Sequence, residues 1–93
     1  MVDVARIGGV TGWIHAIGVA TAHGIEMSSH LMPEISAHLL CATPTGHWLE
    51  YVDWADAIVE EPLIHRDGMV LPSDRAGSGI AWDEAKLKRL ETI

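Results

Sequence analysis

Asp3, His30 and Glu50 are an acid, an imidazole and a second acid, set along the chain at intervals of about one β-α unit. Gathered at one pocket, they can move a proton at carbon. An Asp that accepts a hydrogen bond from one imidazole nitrogen fixes the tautomer and leaves the other nitrogen free to take a proton. In that scheme His30 is the base and Asp3 its orienter. A glutamic acid kept protonated by burial donates a hydrogen bond to an oxygen on which negative charge develops, as when a proton leaves the carbon beside a carboxylate. Glu50 is the candidate for that role. Ser28 and Ser29 flank the base; either could line a substrate pocket, although strand-end serines more often satisfy backbone groups. On spacing alone the plainer reading leads, because Asp, His and Glu are common at loop starts, where they cap helices or meet water.

The elements that would gather these residues are legible in the pattern of apolar positions. DVARIGG (3–9) opens strand-like and breaks at a double glycine. Over residues 10–23, Val10, Trp13, Ile14, Ile17 and Ala20 or Thr21 recur at helical spacing, and Gly24 stops the run. IEMSSH (25–30) is strand-like again. Residues 33–43 read as a second helix, with Pro33 in its first turn, Ile35, Leu39 and Leu40 on one face, and Pro44 at its end. HWLEYV (47–52) is the third strand-like piece. The order β-α-β-α-β with short connections predicts an α/β fold of parallel strands joined by crossover helices. In such an array the strand C-termini share one face, and that is where active sites are built.

After Pro62 the pattern changes. LIHRDGMVLP holds two short apolar runs around Asp67-Gly68, a hairpin signal, and the tail has an Asp83 cap before a short amphipathic helix ending in cations.

Composition narrows the function. The chain has 93 residues, 48% of them apolar and 20% charged, which suits one small globular domain rather than a disordered segment. Its formal charge of −7, with six Lys and Arg in all, leaves no basic surface for a phosphate backbone, so no nucleic acid partner is expected. No apolar run approaches the roughly 18 residues of a membrane span, and no basic-then-apolar leader opens the chain. No membrane role is expected, and the location predicted is cytoplasmic. Cys41, the single cysteine, reads as a small buried hydrophobe, and Trp13 and Trp48 read as core.

Other chemistry-bearing residues have simpler explanations. The six histidines show no H-E-x-x-H or Cys-His spacing, which argues against a zinc site. Lys86-Leu87-Lys88 lies on the last amphipathic helix and reads as solvated surface. Glu34 suits the first turn of a helix, and Glu60 and Glu61 a solvated loop.

Three strings carry a resemblance. RIGGVTGW (6–13), MSSHLMPEISAHLL (27–40, Met32 apart) and ATPTGHWLEY (42–51) are similar to the C-terminal part of the mandelate racemase and muconate lactonizing enzyme family, in the enolase superfamily. The likeness runs from about residue 2 to about residue 90.

The resemblance implies a capping domain plus a TIM (β/α) barrel, and a Mg²⁺-dependent enzyme that removes the α-proton of a carboxylate substrate. It implies that Asp3 and His30 are an Asp-His dyad with His30 as base, and that Glu50 hydrogen-bonds the substrate carboxylate. The family's Lys-x-Lys base motif and three acidic magnesium ligands have no counterpart in this sequence. Met1 then reads as an internal methionine of a longer parent, residues 1–56 as the last three parallel barrel strands with their helices, and residues 57–93 as a hairpin and short helix that pack back on the capping domain. The parent is expected to be a racemase (an isomerase) or an acid-sugar dehydratase (a lyase), and the isolated chain to be inactive. The expected partners are a small carboxylate, the missing N-terminal part of the barrel, and a copy of the chain itself in a homo-oligomer. The alternative is a non-catalytic, self-associating module with open strand edges.

Overall fold

In the computed structural model, which describes residues 1–91, the chain begins with a single line of backbone pairing and turns at once into a helix. Val2 forms a parallel bridge with Ser29, and Met27 forms one with Gly46. Residues 27–30 are thus the middle of three parallel segments, with α1 (Gly9–His23) and α2 (Pro33–Cys41) as the two crossovers. The two helices alternate with three parallel-bridged segments as the sequence predicts, but these segments pair only through isolated bridges and none is a regular strand.

The physical reasons for the interrupted pairing differ. In the first segment the Asp3 carboxylate accepts the N–H groups of Ala5 (2.9 Å) and Arg6 (3.2 Å), which bends residues 4–8 into turns. The turn then folds tightly onto α1. A Cβ on Gly12 would lie 1.7 Å from the Ile7 carbonyl oxygen, so only glycine permits this approach.

In the third segment the ladder slips. Met27 donates to Thr45 O (2.9 Å) and accepts from His47 N–H (2.8 Å), but Ser29 donates to Trp48 O (2.9 Å), where a regular parallel ladder would use His47 O. One extra residue has entered the outer segment, as in a bulge. Serine hydroxyls then stand in for ladder carbonyls. Ser28 Oγ accepts Trp48 N–H (3.2 Å) and Ser29 Oγ accepts Glu50 N–H (3.0 Å). Residues 47–52 therefore form no strand, contrary to the sequence pattern.

The core cluster is Val4, Trp13, Ala20, Met27 and Leu39, with Ala16 and Ile17 packed beside it. Trp13 is completely buried, and its indole N–H donates to Thr43 Oγ1 at 3.0 Å. Thr43 Oγ1 in turn donates to the Leu39 carbonyl at 2.6 Å. This bond, with Ala42 N–H on Leu39 O, closes α2 at Cys41, two residues before the predicted end.

Three core expectations are corrected. Val10 and Ile14 are exposed, because Val4, Met27 and Leu39 reach only the Trp13–Ala20 side of α1. Cys41 is exposed, being two residues and so more than half a helical turn from buried Leu39. Trp48 is 68% exposed: beyond the register slip its ring lies against His47, centroids 4.9 Å apart, rather than in the core.

Beyond residue 58 the expected elements are present. β1 (Ile64–Arg66) and β2 (Met69–Leu71) pair antiparallel, with Arg66 opposite Met69. Asp67 (φ 54°) and Gly68 (φ 74°) form the two-residue turn between them, which requires left-handed backbone at both positions. In α3 (Glu84–Leu90) the Asp83 carboxylate accepts Lys86 N–H at 3.0 Å. Lys86 departs from the solvated-surface expectation, since its Nζ donates to Val59 O at 3.2 Å. Val59 also bridges Trp82, and Glu60 N–H donates to Ala81 O, so this segment is tied to the start of α3. Among the described residues no helix is long and apolar enough to cross a membrane.

Candidate active site

His30 is held first by its backbone. Its N–H donates to Val2 O at 2.9 Å, the last bond of the pairing between the first and second segments. That bond brings Asp3, one residue after Val2, to the cleft where Met1, Val2, Arg6, Ile7 and His30 also lie. The Asp3 side chain is 13% exposed and its recorded bonds are local: Oδ1 to Ala5 and Arg6 N–H, and Oδ2 at 3.9 Å from Arg6 Nε. Asp3 and His30 thus share a cleft, and among the described residues no hydrogen bond joins their side chains.

Glu50 meets His30 directly. His30 Nδ1 lies 3.0 Å from Glu50 Oε1, and the same oxygen accepts the N–H of Leu31 at 3.0 Å. The register slip at Trp48 produces this geometry, since Ser29 Oγ pins Glu50 N–H and so aims the carboxylate back across the second segment. Ser29 is fully buried and Ser28 partly so. Both serines act on backbone N–H groups, as strand-end serines usually do. The imidazole is 45% exposed and can be reached from solvent.

Two features of this site have little or no signature in the sequence. Leu31 (φ 58°) and Met32 (φ 49°) are consecutive left-handed residues, and neither is glycine. Such residues cost on the order of 1–3 kcal/mol each and persist where the surroundings over-determine them. The one available signal was Pro33, which disfavours right-handed helix at the residue before it. The second feature is buried Ser36, which donates from Oγ to Leu31 O at 3.1 Å and from N–H to Met32 O at 2.9 Å. A serine in a first helical turn looks like any other in the sequence.

Beside Glu50, Tyr51 donates its hydroxyl to Asp56 Oδ2 at 2.9 Å and lies against the His65 ring, centroids 4.6 Å apart. Burial pushes the phenol pKa up to about 12, helped by the Asp56 hydrogen bond and by the charges of Asp56, Asp53 and Glu34. Glu34 sits in the first turn of α2 as expected, but its Oε1 is buried without a protein partner, like Asp56 Oδ1. Arg75 is held protonated more firmly than usual by bonds to Glu60 and Glu61, which makes that acidic pair a salt-bridged loop.

A magnesium ion wants several hard oxygens converging on one point. Among the described residues no three His, Cys, Asp or Glu side chains converge in this way. The residues present do not fit a magnesium site on their own.

The comparisons with known proteins agree with the three strings. Residues 1–86 match the family described as enolase C-terminal domain-like. The chain is 34% identical over 82 residues to L-talarate/galactarate dehydratase of Salmonella typhimurium, and 32% identical over 89 residues to 3,6-anhydro-alpha-L-galactonate cycloisomerase of Streptomyces coelicolor. It covers 21% and 25% of those proteins, while 88% and 95% of the chain is matched. Among solved structures, an enolase from Bradyrhizobium complexed with magnesium and mandelic acid superposes with a TM-score of 0.89 at 47% identity, over 94% of this chain and 24% of that one. The Salmonella typhimurium dehydratase liganded with magnesium and L-lyxarohydroxamate superposes with a TM-score of 0.83 at 32% identity, over 92% of this chain and 22% of that one. With a family match over residues 1–86 and the same fold in these relatives, the chain belongs to the enolase C-terminal domain-like family.

Proposed function

We propose that this chain carries the proton-abstracting and carboxylate-recognising part of a Mg²⁺-dependent racemase or acid-sugar dehydratase of the enolase superfamily. The observation that supports this most is the 3.0 Å contact of His30 Nδ1 with Glu50 Oε1, at a histidine that also lines a cleft with Asp3. A half-exposed imidazole that touches one acid and shares a cleft with another is equipped to take a proton from carbon.

In this reading the substrate is a small carboxylate, such as a 2-hydroxy acid or sugar acid. Its carboxylate enters between His30 and Glu50 and replaces their mutual contact. Glu50, as the acid, then donates a hydrogen bond to the substrate carboxylate, and Asp3 orients the imidazole that His30 uses as base. Ser28 and Ser29 support the pocket floor through the backbone of Trp48 and Glu50. Magnesium, seen in the related structures, would stabilise the charge that forms on the substrate carboxylate. Its ligands belong to parts of the parent outside this sequence, and the isolated chain has no turnover.

Mixing the chain with a separately produced N-terminal portion of the parent tests this. Turnover should appear, followed as exchange of the substrate α-proton with solvent deuterium, and His30→Asn should abolish it while assembly is retained. Unchanged turnover in His30→Asn would remove His30 from the mechanism. Exchange by the pure 93-residue chain with Mg²⁺ would sink the claim that it is inactive alone.

A second reading, a self-associating module, draws on the exposure of Trp48, Trp54, Ile64, Met69 and Trp82. It requires a concentration-dependent homo-oligomer in sedimentation without Mg²⁺ affinity in calorimetry. A monomer at all concentrations would exclude it.

A further inference from the structure

We infer that Ser36 is a positioning residue for the His30–Glu50 pair, acting through the left-handed turn at Leu31 and Met32; its importance for turnover rests on the function proposed above. The path is short: Ser36 and Glu50 each hydrogen-bond one of the two peptides that flank Leu31, and the same Glu50 oxygen lies against the imidazole. Glu50 Oε1 is shared by His30 Nδ1 and by the Leu31 N–H, each at 3.0 Å. The φ and ψ of Leu31 set the angle between the peptide that carries its N–H and the peptide that carries its carbonyl. At φ 58° that residue is in a region that L side chains disfavour, and Met32 follows it there at φ 49°.

Something outside the turn must hold both. The peptide after Leu31 is fixed by Ser36 Oγ, 3.1 Å from Leu31 O, and the peptide after Met32 by Ser36 N–H, 2.9 Å from Met32 O. Met32, the residue before α2, offers no side-chain cap, so the hydroxyl of Ser36 is the side-chain contribution to this helix start. Ser36 is completely buried, so its hydroxyl is held at Leu31 O by the packing around it. With the peptide planes on both sides of Leu31 anchored, one by Glu50 and one by Ser36, the strained conformation is over-determined. Loss of the Ser36 hydroxyl would let Leu31 relax and swing its N–H off Glu50.

A serine that merely satisfied a carbonyl would affect stability alone, so the test reads the Leu31 amide in the full chain by NMR. In the wild type its proton shift should be coupled to the Glu50 acceptor, moving when Glu50→Ala removes that oxygen. In Ser36→Ala the coupling should vanish and Leu31 amide exchange should be at least about tenfold faster, while the Trp13 indole N–H stays in place. A retained coupling with exchange within about twofold of wild type would overturn the inference.

Should Ser36→Ala not fold, the double variant Ser36→Ala/Leu31→Gly decides, because glycine adopts the left-handed turn without strain. Recovered folding supports the inference and continued unfolding refutes it. Failure of the wild-type chain to give turnover with the N-terminal portion would defeat the proposed function, and the Leu31 readout would still decide the role of Ser36.

Discussion

Glu50 Oε1 accepts the Leu31 N–H at 3.0 Å and, at the same distance, lies against Nδ1 of His30. One oxygen thus ties a side chain and a backbone group from the second segment to the third. The consequence can be measured without any substrate. Glu50→Ala strips the Leu31 N–H of its acceptor at a partly buried position and should destabilise the chain by about 1–2 kcal/mol. Glu50→Gln keeps a carbonyl oxygen there and should stay within about 0.5 kcal/mol of wild type in urea unfolding. Equal losses in the two variants would show that charge, rather than acceptance of the Leu31 N–H, is what matters.

The contact between the 4–8 turn and α1 depends on the absence of a side chain at Gly12. Alanine there would have its Cβ 1.7 Å from Ile7 O and 2.6 Å from Ile7 C, both backbone atoms that cannot swing aside. Gly12→Ala should therefore cost at least about 2–3 kcal/mol despite alanine's better helix propensity. Thermal melts followed by circular dichroism would show it, and a raised melting temperature would contradict the geometry.

Thr43 joins the end of α2 to the core through one hydroxyl. Replacing it with valine keeps the shape but leaves the buried Trp13 indole N–H without its acceptor, for an expected loss of about 1–3 kcal/mol. Trp13→Phe removes the donor as well as part of the ring. In the Trp13→Phe background Thr43→Val should cost clearly less, which a double-mutant cycle reads directly.

Tyr51 makes a prediction at high pH. Its phenol has a higher pKa in the fold, about 12, than the 10.0 of an unhindered tyrosine. The folded state therefore favours the protonated phenol, and the stability this supplies is complete below about pH 10 and is lost as the pH rises towards about 12. Tyr51→Phe should be the less stable protein at neutral pH by about 1 kcal/mol, through loss of the bond to Asp56. The gap should close between about pH 10 and about 12 in urea midpoints recorded across that range. A constant gap would mean that the hydroxyl does not titrate with folding.

The two crossover helices, the hairpin turn and the Asp83 cap were all legible, because each rests on local rules: apolar spacing at 3.6 residues, Gly24 after the first helix, Pro33 at the start of the second, Asp-Gly between alternating residues. The same rules misjudged Trp48 and Cys41. Apolar character reports a tendency to be covered, and which positions are covered depends on where Val4, Met27 and Leu39 reach. Strand length failed for a related reason. HWLEYV alternates like a strand, but the hydroxyls of Ser28 and Ser29 take N–H groups that a ladder would have given to carbonyls.

By itself, then, the sequence determined the order of elements, the parallel sense of the first three segments and the three polar residues at their ends, since periodicity and turn chemistry are properties of neighbouring residues. Only the tertiary structure decided that His30 pairs with Glu50 while Asp3 bonds its own turn, and that Leu31, Met32 and Ser36 lock the junction. Those outcomes depend on a one-residue register slip and two left-handed residues, and both are set by the competition of side chains for backbone donors across segments far apart in the chain.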